Sequence, residues 1–218
     1  MKRLLLLTVV LIAAASIVSA TPCTGATTIA ALIATNGTGG CTSQGVTFSN
    51  FSYTGTMASN LVLATLVSSS TGGQYSDGWS FGPAHGWTTS FTLGFTVSVT
   101  PGNPEGVGQI TQTADQIFAG LTGPTNHDAA SDIETGGAIT PNPLTMIATT
   151  GGGESVQTNP YFLTTVTTAS TITVVPGHNL SNYEQAFYSA AIPEPVTFVL
   201  IGSGLIGLTF LRRRLHKG

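Results

Sequence analysis

Positive charge is missing from most of this chain, because there is no lysine and no arginine between residues 21 and 191. Such a segment has no side chain that neutralises phosphates by counter-ion release, and no guanidinium group that reads guanine. It also has no lysine for a Schiff base and no cation for a phosphate-binding loop. Nucleic-acid binding and several classes of enzyme are therefore excluded for this segment.

The six basic residues of the 218-residue chain all lie in its two ends, residues 1–20 and 192–218. The 171 residues between the ends have eight acidic residues and no Lys or Arg, so their formal charge is −8, whereas that of the whole chain is −3. This length is enough for one domain with a substantial core. The acidic residues are Asp77, Glu105, Asp115, Asp128, Asp132, Glu134, Glu154 and Glu184.

Long helical periodicity is also absent from residues 21–191, and the polar residues there are mainly hydroxylic: 33 Thr and 16 Ser make 49 of the 171. Threonine is β-branched and favours strands, while Gly and Pro recur as turn residues. The clearest strand runs from Phe91 to Thr100, where apolar and small polar residues alternate. Seven or more such strands between turns predict a single antiparallel β-sandwich, of the jelly-roll or immunoglobulin-like kind.

Two local patterns refine this prediction. The spacing of Ile29, Leu32 and Ile33 predicts a short N-terminal helix that ends at Asn36-Gly37. The apolar alternation then slips once between Phe48 and Phe51, which predicts a β-bulge.

The N-terminal end has the pattern of a secretory signal peptide. Lys2 and Arg3 precede an apolar run from Leu4 to Ala15, and Val18-Ser19-Ala20 fits a cleavage site made of small residues. We therefore expect signal peptidase to remove residues 1–20.

Cysteine is scarce, since Cys23 and Cys41 are the only two. Export places them in an oxidising compartment, so we expect a disulfide between them. Bonded cysteines exclude a cysteine nucleophile, and no Gly-x-Ser-x-Gly turn indicates a serine nucleophile. Chemistry based on a carboxylate pair stays open, because the eight acids could converge in three dimensions without a sequence trace.

The C-terminal end combines three signals in a fixed order. The motif Pro193-Glu194-Pro195 favours an extended backbone, which a protease cleft binds as a strand. A charge-free run of 16 residues, 196–211, follows. As a helix it spans roughly 24 Å, which is short for a bilayer core of about 30 Å. Arg212, Arg213 and Arg214 come next and mark the cytoplasmic side, so we expect everything before Ile192 to lie outside.

This order of parts resembles the PEP-CTERM sorting signal of Gram-negative bacteria, and the resemblance covers residues 192–218. It implies that an exosortase, a membrane-embedded cysteine protease, recognises Pro193, Glu194 and Pro195 and processes the protein during export through the inner membrane. Proteins with this signal are typically surface or extracellular-matrix proteins associated with exopolysaccharide and biofilm. The same segment is also called the ice-binding protein C-terminal domain, a name that describes the tail and implies no activity.

A glycine-rich stretch between residues 77 and 87 contains both tryptophans of the chain. One hypothesis is neutral-glycan binding, in which ring faces stack on the C–H faces of sugars and a carboxylate accepts hydroxyl hydrogen bonds. The other hypothesis is core packing at a hairpin. The residues concerned are Asp77, Trp79, Phe81, His85 and Trp87.

A short acidic segment offers oxygen ligands for a Ca²⁺ ion at an extracellular loop. Its spacing is not that of an EF-hand, so a solvated acidic loop without metal is the other interpretation, and we expect no other cofactor. The residues concerned are Asn126, Asp128, Asp132 and Glu134.

These patterns lead to three functional hypotheses. The first is a non-enzymatic surface or matrix protein, sorted by an exosortase, with a structural role in the exopolysaccharide matrix. The alternative is a lectin-like module that binds neutral glycans. The third is a secreted hydrolase that uses carboxylates.

Overall fold

Strands of alternating polarity make up most of the structure. The computed structural model describes residues 20–125, 127–136, 143–157 and 163–191. The predicted signal peptide, apart from Ala20, and the predicted sorting segment 192–218 lie outside the described residues. Within these described ranges, no helix is both long enough and apolar enough to cross a membrane.

The described residues contain thirteen strands and one α-helix. The predicted strand 91–100 corresponds to β7, and the number of strands exceeds the predicted minimum of seven. The α-helix, α1, spans Ile29–Ala34. The strands are β1 (Thr21–Pro22), β2 (Ala26–Thr28), β3 (Cys41–Ser43), β4 (Val46–Gly55), β5 (Val62–Thr71), β6 (Gln74–Pro83), β7 (Phe91–Val99), β8 (Val107–Ala119), β9 (Asp128–Thr135), β10 (Leu144–Thr149), β11 (Gly153–Gln157), β12 (Thr165–Val174) and β13 (Leu180–Ala191).

The strands form two sheets that pack as a β-sandwich, as predicted. The seven-stranded sheet has the order β1-β3-β4-β7-β12-β9-β10, and the six-stranded sheet has the order β11-β8-β13-β6-β5-β2. Among the described pairings, only β1 with β3 is parallel. Strand β12 shows why the sheets pack face to face: every second residue from Val166 to Val174 is buried, and the residues between them are exposed. A strand with this period buries one face and leaves the other in solvent.

The predicted N-terminal helix and disulfide are both confirmed. Helix α1 begins after Thr28, whose hydroxyl accepts a hydrogen bond from the backbone N–H of Ala31 at 3.2 Å. It buries Ile29 and Leu32 against the sandwich. Cys23 and Cys41 are bonded, with their Cα atoms 4.8 Å apart, and the bridge joins the segment after β1 to β3.

The predicted bulge is also confirmed. The pairing of β4 with β7 shifts register between Ser49 and Ser52. Asn50 lies inside this shift with a φ of 55°, a left-handed conformation that Asn tolerates better than most residues. The extra residue returns Phe51 to the buried face, where Phe48 also lies.

One edge of the sandwich is closed by a side chain. Strand β10 ends the seven-stranded sheet and β11 ends the six-stranded sheet. The carboxylate of Glu154 on β11 accepts a hydrogen bond from the backbone N–H of Ile147 on β10, at 2.7 Å. This contact joins the two sheets at their neighbouring edges.

Candidate functional site

The aromatic stretch predicted as a glycan site lies on β6 and the segment after it, inside the core. Asp77, Trp79 and Phe81 are fully buried and Trp87 is 1% exposed, whereas His85 is exposed. These rings present no face to solvent, so the prediction that they stack on a glycan is corrected. The structure agrees with the other hypothesis, packing in the core.

The contacts of the two tryptophans explain this outcome. Trp79 packs edge-to-face against Phe48 and Phe51, with ring centroids 6.0 and 6.2 Å apart. Trp87 stacks on Phe91 with centroids 4.4 Å apart. All three partner rings come from the seven-stranded sheet, so the rings hold the two sheets together and leave no space for a ligand.

Asp77 shares the inward face of β6 with Trp79 and Phe81. The hydroxyl of Ser43 donates to one of its carboxylate oxygens at 2.6 Å. Burial raises the pKa of Asp77 to about 6; the Ser43 hydrogen bond opposes this shift and the nearby charge of Glu105 adds to it. Asp77 therefore lies just behind Ser43 and within electrostatic reach of Glu105.

The acidic segment predicted as a loop is a strand, and this part of the prediction is wrong. Asp132 and Glu134 are fully buried on the inward face of β9, while Asp128 is exposed where the strand begins. Asn126 lies outside the described residues. Because Asp132 and Glu134 lie inside the sandwich and Asp128 is in solvent, the acids do not gather around one loop ion. In the described part of the chain, no group of three or more His, Cys, Asp or Glu side chains is arranged to hold a metal.

The two inward acids of β9 meet a third acid from the opposite sheet. Asp115 on β8 is also fully buried, beside Gln185 in the β8–β13 register. The side chain of Gln185 donates to Glu134 across the sandwich and accepts from the hydroxyl of Thr168 at 3.0 Å. The interior acid cluster is Asp115, Asp132 and Glu134, with Thr168, Ser170, Tyr183 and Gln185 around them.

The interior acid cluster contains three carboxyl groups and no cation. Burial raises the pKa of Asp132 to about 8 and that of Asp115 to about 6, and the Asp115 charge adds to the shift of Asp132. Burial, a hydrogen bond with Asp115 and the neighbouring charges hold the pKa of Glu134 well above its usual range. The hydroxyl of Ser170 forms a hydrogen bond with the hydroxyl of Tyr183 at 2.6 Å. It also lies close enough to Asp132 to oppose the rise in the pKa of that carboxyl. The cluster therefore keeps a proton on Asp132 at neutral pH.

A polar groove lies at the end of the sandwich where the β3–β4 turn meets the β7–β8 connection. Its volume is about 490 Å³. The turn has two residues, Gln44 and Gly45, with φ of 39° and 84°, as two-residue hairpins require. Only glycine fits at position 45, because a Cβ there would lie 2.8 Å from Asn103 and Val107. The groove is lined by Ala20, Gly39, Thr42, Ser43, Gln44, Gly45, Thr47, Thr100, Pro101, Gly102, Asn103, Pro104 and Glu105.

The outer side of three strands in the seven-stranded sheet carries hydroxyl groups and no charge. Its neighbouring strands β4, β7 and β12 contain no charged residue. Their outward residues stand in register, and the Thr96 and Thr167 hydroxyls are 3.0 Å apart. We call this surface the hydroxyl face; its three rows are Thr47–Ser98–Thr165, Ser49–Thr96–Thr167 and Thr54–Thr92–Thr171.

Neither the groove nor the hydroxyl face follows from a local motif. Thr47 belongs to both, so the groove opens at one end of the hydroxyl face. The alternation in 91–100 indicated a hydroxylic outer surface, but the rows depend on strand order. The groove joins residues from separate turns, which sequence spacing does not place together.

Comparison with known proteins adds the following. No protein-family model matches this chain, and no curated protein matches it. One similar solved structure is TmCBM61 in complex with β-1,4-galactotriose, with 12% identity, a TM-score of 0.29, and coverage of 66% of this chain and 90% of that one. Another is a carbohydrate binding module from Cellvibrio mixtus lichenase 5A in complex with cellotriose, with 11% identity, a TM-score of 0.28, and coverage of 56% and 85%. Values this low assign no ligand to this chain.

Proposed function

We propose that this chain is an exported protein of the cell surface or extracellular matrix, and that its β-sandwich has a structural role in contact with neutral polysaccharide. The Cys23–Cys41 disulfide supports an oxidising location. The carboxylates that the fold brings together are enclosed between the sheets, where no substrate reaches them, and this favours a non-catalytic role.

The observation that carries the proposal is the hydroxyl face. Three adjacent strands present threonine and serine in rows, and neighbouring strands are roughly 4.8 Å apart. Along the strands the first two rows are roughly 6.7 Å apart, and the third is roughly 13 Å from the second, because Gly94 and Ala169 interrupt the pattern. Hydroxyl groups both donate and accept hydrogen bonds, as the hydroxyls of a neutral glycan do. An acidic polymer would find no cation there and would be repelled by the net negative charge of residues 21–191. The lectin-like hypothesis is thus moved from the buried rings to this surface.

Removing hydroxyls from the centre of the face tests the contact. We expect the double variant Thr96→Val, Thr167→Val to bind an insoluble neutral β-glucan roughly tenfold more weakly, as for two lost hydrogen bonds of somewhat under 1 kcal/mol each. Because valine suits a strand as well as threonine does, the melting temperature should change little. Depletion assays with the neutral glucan and with an acidic polysaccharide measure the binding, and thermal unfolding measures the melting temperature.

The matched control is Thr65→Val, Thr71→Val, which removes two exposed hydroxyls from β5 of the other sheet. This variant should bind like the unmodified protein. Equal losses in the two double variants, or equal binding of neutral and acidic polymers by the unmodified protein, would refute contact through the hydroxyl face.

We further propose that an exosortase sorts and processes the chain. This part is supported by the order Pro193-Glu194-Pro195, apolar run and Arg212–Arg214 in the sequence. The expected result is a surface species that lacks both residues 1–20 and the arginine cluster. Intact-mass analysis of surface material checks this, with an exosortase-deficient strain as the control. A surface species that keeps Arg212–Arg214 in a strain with active exosortase would exclude sorting by this route.

A further inference from the structure

The groove beside the hydroxyl face has the size and lining of a small-ligand site. Its volume of about 490 Å³ falls within the range of roughly 300 to 1,000 Å³ that ligand pockets have. Two proline rings, Pro101 and Pro104, give it apolar surface, and the hydroxyls of Thr42, Ser43 and Thr47 give it polar surface. A sugar residue presents both kinds of surface.

Several polar groups of the groove are already used within the protein. The side-chain amide of Asn103 is one, because its oxygen accepts from Val107 and its nitrogen donates to the carbonyls of Thr100 and Val107. The hydroxyl of Ser43 donates to Asp77, and the side-chain oxygen of Gln44 is buried. The carboxylate of Glu105 is therefore the charged group that the groove offers to a ligand.

The charge of the groove is negative. Glu105 lines it, and Asp77 lies behind its wall at Ser43, close enough for the two carboxylates to interact. Residues 21–191 contain no lysine or arginine to pair with either acid. A ligand that brings a positive charge would balance this negative charge, and an ammonium group brings one together with three N–H donors.

We propose that the groove binds an amino sugar through its free, protonated amine, with Glu105 pairing with the ammonium. This inference rests on the proposed function, because it takes the ligand to be a unit of matrix polysaccharide. It adds a charge preference that the hydroxyl face does not have. Since Thr47 is shared, a chain that lies along the face can place an amino-bearing unit in the groove.

The test compares two tetrasaccharides of the same backbone, one of β-1,4-linked glucosamine and one of its N-acetylated form, by calorimetry at mildly acidic pH and low salt. We expect the free-amine form to bind at least about tenfold more tightly, as one charge-assisted hydrogen bond allows. In Glu105→Gln this preference should disappear while the affinity for the N-acetylated form stays unchanged.

The matched control is Glu154→Gln, which removes the same charge from β11, outside the groove, and keeps an oxygen to accept from Ile147. It should retain the preference. Equal affinities of the unmodified protein for the two tetrasaccharides, or equal loss of preference in Glu105→Gln and Glu154→Gln, would overturn the inference. If Thr96→Val, Thr167→Val loses glucan binding and the unmodified protein binds the two tetrasaccharides equally, the amino-sugar site in the groove is overturned and the proposed function stands.

Discussion

Raising the pH from about 5 to about 9 is expected to lower the melting temperature of the protein by roughly 10 °C or more. The cause is the interior acid cluster. Asp132 has its pKa raised to about 8 in the folded state, from an ordinary value of 3.8. The folded state therefore holds a proton that the unfolded chain releases above about pH 4, and stability falls as the pH rises.

The loss of stability accumulates between about pH 4 and about pH 8, and it levels off above the pKa that Asp132 has in the folded state. For Asp132 alone, a shift of about 4 units corresponds to on the order of 5 kcal/mol of unfolding free energy. In a domain of this size, 1 kcal/mol shifts the melting temperature by about 2–4 °C. Asp115 and Glu134 act in the same direction, because burial raises both of their pKa values. Tyr183, which faces them, has its pKa raised as well, by burial first and by their charges second.

Calorimetry across this pH range, on the unmodified protein and on two variants, measures the effect. Asp132→Asn keeps the shape and removes the titrating group, so the dependence on pH should become much shallower. Asp128→Asn changes an exposed residue on the same strand, so it should leave the pH dependence of the melting temperature unchanged. A melting temperature that stays constant between about pH 5 and about pH 9 would show that the cluster does not hold its protons.

Truncating Trp79 to alanine should lower the free energy of unfolding by roughly 3 to 5 kcal/mol, whether or not a glycan is present. The side chain has no exposed area and packs between rings from the opposite sheet, so its removal leaves a cavity. Denaturant unfolding gives the value. For comparison, Phe118→Ala removes a ring that is 38% exposed, and its cost should be clearly smaller. If Trp79→Ala unfolds like the unmodified protein but no longer binds the glucan, the ring lines a binding site and is not part of the core.

The fold was largely predictable where neighbouring residues alone determine the outcome. The alternation in β7, and the slip of the alternation in β4 between Phe48 and Phe51, follow from the period of a strand, and both are present in the structure. The disulfide was predictable because there is only one way to pair Cys23 with Cys41.

The acids were harder to predict, because their positions reverse the usual polarity of a strand. Asp132 and Glu134 alternate with Ile133 and Thr135 at period two, which is a strand signal, but here the acidic side faces inward and Ile133 is 42% exposed. A rule that places charge outside misreads such a segment as a loop. The inward position of Asp77 could also be read from the sequence, because Asp77, Trp79 and Phe81 are alternate residues of one strand and therefore lie on one face.

The hydrogen bond from Ile147 to Glu154 has a consequence for crowded surroundings. An exposed outer strand offers free N–H and C=O groups to any other extended chain, and this is how β-proteins begin to polymerise. At β10 one of these N–H groups is already occupied by a carboxylate from the other sheet. The negative charge of Glu154 also repels a second copy, because residues 21–191 carry a net negative charge. One glutamate thus occupies the place on β10 where a strand of another molecule would begin to pair.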